Sequence, residues 1–138
     1  MPELPFKILG IEHVGIAAND LNGISDVFGD LLGLKLSSRE KIDDQQVITD
    51  IYETGSGKLE FLKATDKNSP IAKFIDKKGT GMHHIALKVD NLQAALDYLK
   101  GQGTELIDEA PRIGAEGFKI AFLHPSSTGG VLIEMCEK

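Results

Sequence analysis

Apolar and polar residues alternate with a period of two over Ile11-Glu12-His13-Val14-Gly15-Ile16-Ala17, and again over Met82-His83-His84-Ile85-Ala86-Leu87-Lys88-Val89. Each stretch predicts a strand, with His13, Gly15 and Ala17 on one face of the first and His84, Ala86 and Lys88 on one face of the second. A polar pair and a leucine follow each time, Asn19-Asp20-Leu21 and Asp90-Asn91-Leu92. In the first half, Leu21, Ile24, Val27, Phe28, Leu31 and Leu32 have helical spacing, with Asp20 or Asn22 as cap and Gly33 as stop. Gly23 and Gly29 weaken that helix. In the second, Leu92, Ala95, Leu96 and Leu99 form the apolar face of a helix capped by Asn91 and stopped at Gly101-Gln102-Gly103.

Strands are predicted after both helices. In the first half they are Leu34 to Glu40, Gln46 to Tyr52 and Lys58 to Ala64, the last two joined through the turn Thr54-Gly55-Ser56-Gly57. In the second they are Thr104 to Asp108, Phe118 to Leu123 and Val131 to Cys136, separated by a loop with Pro111, Gly114 and Gly117 and by the turn from His124-Pro125 to Gly129-Gly130. Between the halves, Ser69 caps a short helix with Pro70 at its first position and Ile71, Phe74 and Ile75 on one side.

The order strand, helix, three strands thus occurs twice, an internal repeat of roughly 70 residues. The expected fold is α+β: two tandem βαβββ modules whose strands join in a curved eight-stranded mixed sheet, with helices on the outside. With 138 residues and 41% apolar content, the chain reads as one domain. Module 1 covers about 8–64, a linker helix about 65–80 and module 2 about 81–138.

Composition narrows the function. Apolar segments are strand-sized and interrupted by charge, and Met1 to Pro5 has no basic region leading into an apolar core, so neither a membrane span nor a secretory signal is expected. A formal net charge of −6 with no basic cluster argues against nucleic acid as partner. The single cysteine, Cys136, cannot form an intrachain disulfide, which fits a reducing compartment, and the chain is read as cytoplasmic.

The candidate chemistry lies in how the repeats begin and end. Leu59-Glu60-Phe61-Leu62 closes the first copy and Ile133-Glu134-Met135-Cys136 the second, each with one glutamate among apolar residues. A buried carboxylate needs a partner. Inward His13 and His84 with inward Glu60 and Glu134 make a pocket suited to one divalent metal ion. Nitrogen and oxygen donors without thiolate suit zinc, cobalt, manganese, nickel or iron. His83 points to the opposite strand face and is assigned a structural role.

This layout resembles the vicinal oxygen chelate superfamily. Within it, Ile11 to Ala17, Ser69 to Phe74, Gly81 to Ala86, Phe122-Leu123-His124-Pro125 and Gly129 to Glu134 are similar to blocks of the methylmalonyl-CoA epimerase family. The resemblance covers almost the whole chain. It implies an acyl-CoA thioester substrate, a metal-stabilised enolate, Glu134 as a proton-transferring base as well as a ligand, and a homodimer. Some epimerases carry a second glutamate three residues after the glycine of a Gln-Gly-Val block. Here the block reads Gln45-Gln46-Val47-Ile48-Thr49, so Thr49 takes that place; Asp50, one residue on, faces the other way. A glutathione-dependent glyoxalase and a ligand-sequestering protein of the bleomycin-resistance type share the fold and are the competing readings.

Overall fold

The computed structural model describes residues 3–138; Met1 and Pro2 of the N-terminal segment lie outside the described residues. The chain divides into two compact units, His13–His83 and a second made of the residues up to Glu12 with His84–Lys138. Two strands, β1 (Ile8–Ala17) and β5 (Gly81–Val89), contribute residues to both. The strands form an eight-stranded mixed sheet in the order β2-β3-β4-β1-β5-β8-β7-β6. The α+β expectation is met.

In the unit His13–His83, β2 (Lys35–Ile42), β3 (Val47–Glu53) and β4 (Lys58–Ala64) form an antiparallel meander, and β4 pairs in parallel with β1. The first helix departs from its expected form. It is α-helical only over α1 (Leu21–Ile24) and π-helical over Ser25–Leu31, with Leu32 N–H donating to Val27 O at 2.8 Å. A π-turn holds more residues than the ~3.6 of an α-turn, so side chains spaced for one α-face rotate apart. Ile24 and Phe28 stay against the core that holds Leu21, Tyr52 and Phe61. Val27, Leu31 and Leu32 are instead 43%, 79% and 61% exposed. Gly23, unfavourable for helix propensity, has a local use: its N–H donates to the Asp20 cap at 3.1 Å, and a Cβ there would lie 2.9 Å from Asp20 Oδ2.

The linker helix α2 (Pro70–Lys78) matches its sequence signals, with the Ser69 hydroxyl accepting from Ile71 N–H. Its Ile71, Phe74 and Ile75 pack on Ala17, Val47 and Leu62. By strand alternation these lie on the face that carries His13 and Glu60, so α2 covers the far end of that face. The α1 side covers the opposite one, which carries Tyr52 and Phe61.

On that opposite face Asp50 is completely buried, cross-strand from Arg39 and Phe61. Arg39 Nε and Nη2 donate to its two oxygens at 2.6 and 2.8 Å. Removing one partner of such a pair leaves an uncompensated buried charge, which costs several kcal/mol when both partners are inside. The Arg39 side chain is 53% exposed, which screens the pair. Arg39→Met is therefore expected to lose about 2 kcal/mol in urea denaturation, with part recovered by adding Asp50→Asn. An Arg39→Met protein as stable as the parent would show that the pair contributes nothing.

In the other unit β5 pairs in parallel with β8 (Ile133–Glu137), followed by β7 (Lys119–Leu123) and β6 (Arg112–Ile113) in antiparallel order. Helix α3 (Leu92–Gly101), capped by Asn91 as expected, packs Leu92, Ala95 and Leu96 on Val89, Ala121, Leu123 and Met135. The predicted strand Thr104 to Asp108 is a correction. It forms only the isolated bridge Leu106↔Leu123. Ile107 and Asp108 N–H both donate to Phe122 O, and the Asp108 carboxylate accepts from Phe122 N–H at 2.9 Å. A side chain has taken the place of a ladder carbonyl, which ends the pairing. The edge position passes to β6, inside what the sequence presents as a loop.

Candidate metal centre and active site

Both units build the same local feature. In one, β1 and β4 run parallel with Gly15 opposite Glu60; in the other, β5 and β8 run parallel with Ala86 opposite Glu134. The histidine stands two residues before the paired position each time, at His13 and His84. Strand alternation puts each histidine on the face of its glutamate. His13 Nδ1 lies 2.9 Å from Glu60 Oε2, and His84 Nε2 lies 3.4 Å from Glu134 Oε1. The equivalence read from the repeat is present in the register.

All four are buried, with His13 at 6% exposure and Glu60, His84 and Glu134 at 5% each. Neither glutamate therefore sits on a solvent-facing strand position. Charge taken out of water needs neutralising. Two donors each about 2.1 Å from one ion are about 3.0 Å apart at right angles and about 3.4 Å apart at the tetrahedral angle. The observed separations, 2.9 and 3.4 Å, suit donors sharing an ion. The buried histidine and glutamate groups are consistent with a metal site.

Neighbouring residues sort by strand face. His83 packs edge-on to Phe74 of α2, ring centroids 4.9 Å apart, and burial lowers its pKa to about 4. It is a neutral packing residue, as its position on the alternate face implies. His84 meets Phe122 edge-on at 5.6 Å, and Phe122 is cross-strand from Glu134, so the aromatic ring walls this pair. Cys136 is buried and free of disulfide. Thr49 is completely buried, and its hydroxyl has no hydrogen-bond partner among the described residues. It lies opposite Leu62 in β4, hence on the face of Glu60. Asp50, held by Arg39 on the other face, is excluded from the site.

The sequence pattern passes over Glu12. It is 5% exposed, with its carboxylate 3.4 Å from Lys138 Nζ. Its place on the alternate face gives no sign of burial, and no periodicity connects it to Lys138, the last residue of the chain, with which it forms an ion pair.

Paired carboxylates beside imidazoles in a water-poor setting can bind a divalent ion and carry protons. Comparison with known proteins narrows this. Residues 12–122 match the glyoxalase/bleomycin resistance protein/dioxygenase superfamily. Human mitochondrial methylmalonyl-CoA epimerase is 37% identical over 126 residues, 91% of this chain and 72% of that protein. The crystal structure of methylmalonyl-CoA epimerase from Mycobacterium tuberculosis superposes with a TM-score of 0.90 at 36% identity, covering 94% of this chain and 88% of that one. A methylmalonyl-CoA epimerase in complex with methylmalonyl-CoA and NH4+ gives 0.89 at 28% identity, with 96% of each chain covered. Among the described residues no helix is long and apolar enough to cross a membrane.

Proposed function

The chain belongs to the glyoxalase/bleomycin resistance protein/dioxygenase superfamily, and from that premise we propose that it is a methylmalonyl-CoA epimerase, interconverting (2R)- and (2S)-methylmalonyl-CoA. The observation that supports this most directly is the doubled His/Glu pair, buried and in equivalent register in both units. His13, Glu60, His84 and Glu134 are assigned to one divalent ion, whose charge the two carboxylates balance. A ligand-sequestering protein needs a cavity but no such carboxylates. The Ser69-Pro70 cap and the Gly130 to Glu134 ending favour the epimerase over a glyoxalase.

The reacting carbon stands between a thioester and a carboxylate, which makes its proton weakly acidic. Bound at the four residues, the ion supplies Lewis acidity toward the substrate oxygens, worth several kcal/mol of charge stabilisation. Glu134 accepts the proton on one face of that carbon and returns it on the reverse passage. A carrier must come within hydrogen-bonding reach of its proton. Inversion needs a second carrier on the other face, and Thr49 is a poor base.

Proton NMR of each epimer in deuterated water, with the protein and cobalt, zinc, manganese or nickel, tests this reading. The α-proton signal is expected to wash out as the epimers equilibrate. Persistence of that signal with every metal would overturn the assignment.

A homodimer is part of the proposal. Ile8, Leu9 and Ile11 of β1 are 49%, 54% and 58% exposed, a run of apolar side chains on one strand. Sedimentation is expected to give twice the 14.9 kDa of the chain, and a lone 14.9 kDa species would remove the dimer.

A further inference from the structure

On the face of its His/Glu pair, each unit carries a cross-strand row that lies two residues beyond the glutamate. In the unit His13–His83 the row is Ala17, Leu62, Thr49 and Glu40; in the other it is Lys88, Cys136, Ile120 and Arg112. The repeat thus sets Lys88 where the first copy has Ala17, and Arg112 where it has Glu40. Only the second row carries cations. The cover differs too. Helix α2 packs on Ala17 and Leu62, whereas the cluster that holds Ile120, Phe122 and Cys136 contains no α-helical residue among the described residues.

Within the unit His84–Lys138, contacts tie Arg112 to the His84/Glu134 pair. Its guanidinium lies over the Phe122 ring, 5.5 Å from the centroid; the same ring meets His84 edge-on and is cross-strand from Glu134. Asp108 anchors both residues: its Oδ1 lies 3.4 Å from Arg112 Nε, while its Oδ2 accepts from Phe122 N–H at 2.9 Å. The ion pair is long, and Arg112 Nε is buried with no hydrogen-bond partner among the described residues. A guanidinium has five N–H donors in a planar fork that fits a carboxylate. Among the described residues Asp108 is the only carboxylate within ion-pair distance of it, so donors remain for a second. The Arg112 side chain is 36% exposed, and in such partial burial attraction between charges is stronger than in bulk water.

Resting on the epimerase reading above, we propose that Arg112 binds the free carboxylate of the acyl group and so selects carboxylated acyl-CoA thioesters over uncharged ones. Holding that carboxylate fixes the rotation of the reacting carbon, which sets its C–H toward Glu134. It also offsets a negative charge beside the carbon that becomes an enolate, a charge that otherwise opposes loss of the proton. The phosphates of CoA are the substrate's other anions, but a long pantetheine arm carries them away from the reacting carbon, whereas Arg112 shares the Phe122 ring with His84. Lys88 offers a single ammonium without the planar fork.

Calorimetric titration of the cobalt-loaded protein with malonyl-CoA, propionyl-CoA and CoA tests this without turnover. The first carries the carboxylate, the second has a methyl in its place, and the third keeps only the phosphates. The parent is expected to bind malonyl-CoA more tightly than propionyl-CoA. In Arg112→Met, malonyl-CoA affinity should fall by about 10- to 100-fold, the worth of a hydrogen bond to a charged group, with the other two within about twofold of the parent. Arg112→Lys keeps the charge but not the fork, and should fall between. Undiminished malonyl-CoA affinity in Arg112→Met would overturn the proposal. So would equal weakening of all three ligands, which would assign Arg112 to a phosphate, or a loss of the malonyl-CoA preference in Lys88→Met but not in Arg112→Met. If Arg112→Met does not fold by circular dichroism, Arg112→Lys decides: a loss confined to malonyl-CoA supports the assignment and no loss rejects it. A parent that binds none of the three would defeat the epimerase reading, and this proposal with it.

Discussion

Glu134→Gln is expected to abolish interconversion of the two epimers in both directions while leaving the protein folded. The exchange replaces one oxygen by an amide nitrogen, so the volume filled beside His84 barely changes and the edge contact of His84 with Phe122 persists. What disappears is the ability to accept a proton. A positioned acid or base contributes about 100- to 10,000-fold, and inversion needs both carriers, so the loss appears whichever epimer is supplied. The amide oxygen remains a donor. Metal content after dialysis should therefore stay measurable while turnover is gone, which separates the proton role from the ligand role. Chromatographic separation of the epimers after timed incubation measures the effect. A fully active Glu134→Gln protein would remove Glu134 from the chemistry.

The repeat, the strand faces and the two His/Glu pairs could be read from the sequence because they rest on local rules. Alternation fixes which side chains share a face, and the doubled pattern supplies a check that a single motif lacks. Features that depend on distant partners were harder to see. Alternation puts Asp50 on the face away from the site, where it lies, but its complete burial goes with the Arg39 pair on the neighbouring strand. Glu12 is buried and pairs with Lys138, at the other end of the sequence. The spacing of Val27, Leu31 and Leu32 suits an α-helix, and their exposure arises from the change to π-helical hydrogen bonding after Ile24, for which the sequence carries no marker beyond the two glycines. Thr104 to Asp108 has strand-like composition, yet the Asp108 carboxylate competes for the partner strand's N–H.

Metal binding gives the second large effect. His13→Ala and His84→Ala are each expected to weaken binding of cobalt, zinc, manganese or nickel by more than about 100-fold, because even outer partners of metal ligands cost 10- to 100-fold when removed. Stoichiometry decides whether the pairs act together. One shared ion predicts one equivalent per chain in calorimetry and near-complete loss from either variant. Two independent His/Glu sites would give two equivalents and leave one in each variant. Stability gives an independent readout: an ion at 100 times its dissociation constant adds about 2.7 kcal/mol, so a chelator should lower the melting temperature of the parent and leave both variants unmoved. Acid should act as the chelator does. A histidine ligand must be neutral, and its unperturbed pKa is about 6.5, so protons compete with the ion increasingly below that pH and the stabilisation it provides fades as the pH falls. Parent-like affinity in both alanine variants would sink the shared centre, whatever the fate of the epimerase activity.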